Sequence, residues 1–185
     1  LFALLEAPFL YRDRDHIKKV MESPVVADLG EALIKKGLRM VGFYENGFRN
    51  ITNSKRPINS PDDVKGLKIR TPENLAQVET FKALGAVATP MAYSELYNAL
   101  AQGVVDGQEN PIATIRSMNY FEVQKYLSLT FHTYTPGAVM ISPKLWNSLT
   151  GEQKSILQKS MEESRAFQRK TVADKEADDL AFLKS

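Results

Sequence analysis

The chain has 185 residues, 43% hydrophobic and 25% charged, with no Cys; this is a globular composition, long enough to bury roughly 70% of the unfolded surface in one domain or two small lobes. The 24 Lys and Arg against 22 Asp and Glu leave a net charge of +2, and no basic block stands out, so nucleic acid is not an expected partner. No apolar run reaches the ~18 residues of a membrane span, and the lack of Cys excludes disulfides, thiolate metal sites and cysteine nucleophiles.

The chain opens on Leu1-Phe2-Ala3-Leu4-Leu5, without an initiator Met or a signal cleavage pattern, and closes inside a helical pattern. It therefore reads as an internal piece of a longer protein. Arg14 to Met21 and Val25 to Lys36 have helical periodicity, separated by Ser23-Pro24. Leu38 to Tyr44 has a strand composition and Asn46-Gly47 is a turn signal. Ser60-Pro61-Asp62-Asp63 predicts a short helix start, with Ser as N-cap and acids in the first turn. Leu67 to Arg70 predicts a short strand and Asn74 to Leu84 an amphipathic helix closed by Gly85.

Ala86 to Thr89 predicts a further strand, Ser94 to Gln102 a helix, and Val104-Val105 a brief buried strand. Asp106-Gly107-Gln108-Glu109-Asn110 reads as a polar loop, with Pro111 opening the next helix. Leu127 to Tyr134 and Gly137 to Ile141 predict two more strands. Thr150-Gly151-Glu152-Gln153 is a capping box. The helix it opens runs Pro-free to the end, with Ile156, Leu157, Ser160, Met161, Ser164 and Phe167 as a semi-apolar stripe. Strands alternating with helices argue for an α/β fold.

Catalytic signatures are missing: no G-x-S-x-G, P-loop, G-x-G-x-x-G or H-E-x-x-H occurs. No catalytic residue, cofactor or metal is expected. His16, in Asp13-Arg14-Asp15-His16, reads as part of a solvated helix start, and His132 as a hydrogen-bonded core histidine. Arg70 ends a buried-type strand just before Thr71-Pro72, at the sheet edge where open α/β folds bind ligands. Its guanidinium offers parallel donors matched to a carboxylate; an ion pair at a surface or between domains is the plainer use. Asn110 before Pro111 reads as an N-cap, Arg49 is ambiguous, and Tyr93 at a helix start reads as packing.

Two segments, Gly66-Leu-Lys-Ile-Arg-Thr-Pro72 and Val105-Asp-Gly-Gln-Glu-Asn-Pro111, carry a resemblance that extends through Phe48 to Ile58, Ala83 to Ala86, Thr89 to Leu100 and Tyr120 to Tyr126. The chain resembles the solute-binding proteins of tripartite ATP-independent periplasmic (TRAP) transporters, in the dicarboxylate-binding family. The resemblance implies a two-lobed α/β periplasmic-binding-protein-like fold, with hinge strands and a long lobe-spanning helix, present here as a fragment. Residues 1–47 would belong to lobe I, 48–135 to lobe II, 136–150 to a return into lobe I and 151–185 to the long helix.

The function it implies is capture of an organic acid, a sugar acid or a four-carbon dicarboxylate, outside the cytoplasm and its delivery to TRAP membrane subunits. Export by a signal peptide ahead of this segment and a monomeric state are implied as well. Arg70 matches the arginine that pairs with the ligand carboxylate, Asn110 the asparagine beside it, Arg49 a second pocket arginine and Tyr93 a pocket aromatic. His132 matches a histidine behind the pocket near the hinge. Position 73 is Glu where sialic-acid-binding relatives carry Asn. A carboxylate there would repel a second ligand carboxylate and accept from sugar hydroxyls, so Glu73 favours a sugar acid, while Arg49 argues for a diacid. An α/β enzyme acting on a carboxylate and the ligand-binding domain of a sensory receptor are the alternative functions.

Overall fold

The computed structural model describes residues 2–185. Its centre is a five-stranded mixed sheet in the order β3-β2-β4-β1-β5. Two long antiparallel strands, β1 (Arg39–Asn53) and β5 (Tyr126–Ile141), form one side. The short strands β2 (Lys68–Thr71), β3 (Val87–Pro90) and β4 (Gly107–Pro111) form the other, with β2 parallel to both β3 and β4. β4 is antiparallel to β1 and joins the halves.

Helices α1 (Arg14–Met21) and α2 (Pro24–Ile34) precede β1. The α3 helix (Leu75–Ala83) follows β2; α4 (Leu96–Ala101) and α5 (Ile112–Ser117) flank β4. After β5 come α6 (Pro143–Ser148) and α7 (Gly151–Lys184). The Thr150 capping box at the start of α7 is formed on both sides, Thr150 with the Gln153 amide and Gln153 with the Thr150 amide.

Four expectations about strands are corrected. Asn46-Gly47 is not a turn: β1 runs straight through it as a bulge, with Glu45 opposite Pro136 and Gly47 opposite Thr135. Gly47 supplies the φ of +118° that the extra residue requires. Pro136 faces the same bulge, where the ladder is already interrupted, so β5 is one 16-residue strand rather than two. The Asp106–Asn110 segment, read as a loop, contains β4, and every residue of β4 is buried. Polar side chains inside a sheet have no hydrophobic pattern to betray them; they are satisfied by one another. Val104-Val105 is not a strand, although Val105 is 1% exposed in the core.

The buried apolar side chains gather into three clusters. Leu5, Tyr11, Ile17, Met21, Val26, Phe43 and Tyr134 pack α1 and α2 onto the outer parts of β1 and β5. Leu96, Leu100, Val105, Ile112, Ile115 and Tyr120 form a second cluster, and Ile51, Val64, Leu67, Ile69, Phe81 and Ala86 a third. The α7 helix, about 50 Å long at ~1.5 Å per residue, reaches across them. Near its start Met161 lies over Gly42, where an added Cβ would come within 2.7 Å of the Met161 side chain. Further on, Gln168 exchanges hydrogen bonds with the Glu45 backbone at 2.6 and 2.9 Å. At its end Leu180 and Leu183 pack on the second cluster and Asp179 pairs with Arg116 at 2.5 Å. Of the expected stripe Met161 is buried, but Ile156 and Phe167 are exposed: α7 is held by spaced polar ties as much as by a continuous apolar face.

Candidate functional site

The β1–β4 register places Arg49 opposite Pro111, Asn50 opposite Asn110 and Ile51 opposite Glu109. Arg49 and Glu109 are therefore diagonal neighbours on one face of the sheet. The Arg49 Nε donates to Glu109 Oε2, and Nη2 donates to Glu109 Oε1 at 2.9 Å, to the Glu109 carbonyl at 2.6 Å and to Asn110 Oδ1 at 3.0 Å. His132 Nε2 lies 3.2 Å from Glu109 Oε2, and its Nδ1 is 2.8 Å from the Thr130 hydroxyl. A wide bulge in β5 puts His132 there: between Arg49–Thr133 and Ile51–Ser128, β1 has one residue and β5 has four. Asn50 Oδ1 accepts from the Phe131 amide at 3.2 Å and holds the bulge.

Glu109 is fully buried. Burial by itself would raise its pKa, but Arg49 and His132 hold it below the ordinary carboxylate value. The Arg49–Glu109 pair thus sits neutralised between strands.

Arg70 is different. It ends β2 and is 3% exposed. Its Nε and Nη2 both donate to the Met91 carbonyl, at 3.0 and 2.7 Å. That uses the side edge of the guanidinium. The end edge, made by Nη1 and the second hydrogen of Nη2, has no hydrogen-bond partner among the described residues, and Arg70 makes no ion pair there. Burial lowers its pKa, Glu109 opposes the shift and Arg49 adds to it. The cation stays charged, so the cluster holds one buried charge with an open two-pronged edge.

Asn110 lies in β4 and is 4% exposed. It does not cap α5, whose N-cap is Pro111. Its Oδ1 accepts from Arg49, and its Nδ2 donates to Gln108 Oε1, which leaves one amide hydrogen over. Gln108 is anchored in turn on the Thr52 hydroxyl at 2.9 Å. Tyr93 is 46% exposed and stands within electrostatic reach of both Arg70 and Tyr120. The Tyr120 hydroxyl is buried without a partner of normal geometry among the described residues, and burial pushes its pKa up. Glu73 is exposed, one residue before the α3 N-cap, and makes no hydrogen bond or ion pair among the described residues.

The structure therefore brings Arg49, Arg70, Asn110, Tyr93 and His132 into one neighbourhood and leaves Glu73 outside the hydrogen-bond network. Two of its members escaped the sequence reading. Glu109 was hidden because a polar pentapeptide reads as a loop. Glu6, in a 3-10 turn at Phe2–Glu6, comes from far along the chain: it accepts from Asn74 Nδ2. No sequence pattern marks it.

Surface cavities of about 430 Å³, around Phe121 and Phe182, and about 630 Å³, around Tyr11 and Phe48, are lined by residues other than Arg70 and Asn110. No group of three or more His, Cys, Asp or Glu among the described residues is placed to hold a metal ion. What the cluster offers chemically is an anion site, with a buried fork, an amide and hydroxyls beside it.

The family model described as bacterial extracellular solute-binding protein, family 7, matches residues 1–185. A 2,3-diketo-L-gulonate-binding periplasmic protein of Escherichia coli is 42% identical over 171 residues, which is 92% of this chain and 52% of that protein. Among solved structures, a TRAP periplasmic solute-binding protein from Polaromonas bound to D-erythronate matches with a TM-score of 0.94 at 43% identity, covering 99% of this chain and 60% of that one. The sugar acid binding protein of Advenella mimigardefordensis in complex with galactonate matches with a TM-score of 0.93 at 40% identity, covering 99% and 59%. The chain spans about half the length of the curated relatives it matches. It belongs to family 7 of the bacterial extracellular solute-binding proteins, the DctP family.

Proposed function

We propose that the protein containing this chain is an extracytoplasmic solute-binding protein that captures a sugar acid and delivers it to the membrane subunits of a TRAP transporter. The observation that carries the reading is Arg70: a buried guanidinium whose end edge has no partner among the described residues. Such an edge matches a carboxylate, and a dry site strengthens the contact because water no longer screens it. Asn110 supplies the remaining amide hydrogen, and Tyr93 walls the rim. His132 acts through Glu109, orienting the carboxylate that fixes Arg49.

Between the two ligand classes, the closure of Arg49 on Glu109 speaks against a diacid. The second arginine that a second carboxylate would require is already neutralised. The relatives bound to D-erythronate and galactonate, and the 2,3-diketo-L-gulonate-binding relative, support the same choice. In this reading 1–47 and 136–150 belong to one lobe, 48–135 to the other, and α7 spans both. Ligand closure of the lobes is the state that the membrane subunits recognise. The protein acts as a monomer in the periplasm, to which a signal peptide directs it.

The test is a thermal-shift panel of aldonates, uronates, succinate, malate and fumarate on the full-length protein, with mass spectrometry of any molecule retained through purification. A ligand at 100 times its Kd adds about 2.7 kcal/mol of stability. An aldonate or uronate giving the largest shift is the expected result. A panel in which no carboxylate shifts the melting temperature overturns the reading.

A further inference from the structure

Glu6 is half-buried and belongs to no ion pair among the described residues. Asn74 holds it in place: Asn74 Oδ1 accepts from the Ala76 amide at 3.0 Å, capping α3, while Nδ2 donates to Glu6 Oε2. The turn that carries Glu6 also packs on β5, where Arg49 Nη1 approaches the Thr135 hydroxyl at 3.5 Å. The Glu6 carboxylate is thereby tied to the turn that follows Arg70, on a segment packed against β5. The Tyr11 hydroxyl, buried without a partner among the described residues, is near enough for the Glu6 charge to act on it.

The charges around the site then divide unevenly. Arg49 and Glu109 neutralise each other. Arg70 and Glu6 both lie within electrostatic reach of that pair, and neither has an ion-pair partner among the described residues. The site thus presents one uncompensated cation and, apart from it, one uncompensated carboxylate. A ligand complementary to both has a carboxylate at one end and hydroxyl donors along the rest. A dicarboxylate would set its second anion against Glu6, where like charges in a partly dry site cost more than in water.

We propose that Glu6 is the specificity-determining acceptor of this site, reading the hydroxyl groups of a polyhydroxylated monocarboxylate and rejecting dicarboxylates. The proposal rests on the sugar-acid reading above and deepens it, transferring to Glu6 the role that the sequence suggested for Glu73. Burial raises the Glu6 carboxyl above its ordinary pKa, with Arg49 opposing and Glu109 adding to the shift. Donors from a ligand hydroxyl relieve the same burden.

The experiment measures galactonate and succinate binding by calorimetry on the full-length protein, for wild type, Glu6→Gln, Glu6→Asp and Arg70→Met. Glu6→Gln keeps an acceptor for Asn74 and removes the charge. Its galactonate affinity is expected to fall about 10- to 150-fold, the range for a hydrogen bond to a charged group, while succinate binding holds or tightens. Glu6→Asp keeps the charge but shortens the reach, so galactonate weakens and succinate stays excluded; this variant decides the matter if Glu6→Gln does not fold. A galactonate-to-succinate affinity ratio unchanged within about twofold in whichever variants fold overturns the role of Glu6. If Arg70→Met abolishes galactonate binding in that case, the sugar-acid reading survives without it. Wild-type protein that binds succinate better than galactonate overturns both the role and the ligand class.

Discussion

Replacing Arg70 by Met separates two contributions that the structure keeps apart. Arg70 is 3% exposed as a residue, and its guanidinium gives two hydrogen bonds to the Met91 carbonyl at 3.0 and 2.7 Å and has no counter-ion among the described residues. For the unliganded protein, losing it leaves that carbonyl without its partner, a cost of about 1–3 kcal/mol. It also removes a buried unpaired charge, whose desolvation costs several kcal/mol. The two oppose each other, and the larger is the charge. Unliganded Arg70→Met is therefore expected to melt at or above the wild-type temperature.

For the liganded protein the balance reverses. Truncating one side of a buried charged pair costs roughly 2–5 kcal/mol, or about 30- to 5,000-fold in affinity. Arg70→Lys recovers little of this, because an ammonium on a flexible stem cannot make the two-pronged contact. Calorimetry and thermal unfolding of the full-length protein, with and without an aldonate, read both effects. Near wild-type affinity in Arg70→Met refutes the assignment of the anion site. A strongly destabilised unliganded variant refutes the argument that the cation stands unpaired.

Three further outcomes follow from the geometry around the site. Gly107→Ala is expected to lose about 3 kcal/mol or more, since its Cβ would lie 2.2 Å from the Thr52 carbonyl oxygen and 2.7 Å from Asn53 Cβ; urea unfolding of the full-length protein measures it, and a loss below about 1 kcal/mol contradicts the close approach. Glu109→Gln breaks a buried ion pair and should cost about 3–5 kcal/mol at neutral pH. Because the folded-state pKa of Glu109 lies below its ordinary 4.5, that contribution is complete above pH 4.5 and disappears as pH falls through the folded value; an unfolding difference that grows toward acid would have the wrong sign. Phe81, fully buried and edge-on to His132 at 5.4 Å, should cost about 3–5 kcal/mol on truncation to Ala, seen as a lower urea midpoint.

Sequence alone determined the local elements that depend on neighbouring residues. Caps and helix starts are examples: Thr150 caps the helix that its capping box predicts, and the helix expected from Asn74 starts there, because an N-cap oxygen reaches only two or three residues along the chain. Alternation of strands and helices sufficed for the α/β class, and the two short segments around Arg70 and Asn110 carried the family resemblance. Arg70 was marked by its place at a strand end beside Pro72.

Tertiary structure decided what long-range pairing controls. Whether Asn46-Gly47 turns the chain or bulges within a strand depends on β5 lying opposite, which nothing between residues 39 and 53 encodes. Whether the Gln108-Glu109-Asn110 run is a loop or a central strand depends on Arg49, Thr52 and His132 arriving to satisfy it; a buried polar strand is stable only when its partners are present. The same holds for the site. Arg70 and Arg49 look alike in sequence, yet one is closed on Glu109 and the other keeps an open edge. Besides Glu109, the acid held toward the site is Glu6, tied to Asn74 and 64 positions before Arg70 in the numbering, and not Glu73, three positions after it. Sequence proximity placed Glu73 near the anchor, but the backbone turns it outward at the start of α3, while the 3-10 turn packed on α3 and β5 carries Glu6 inward.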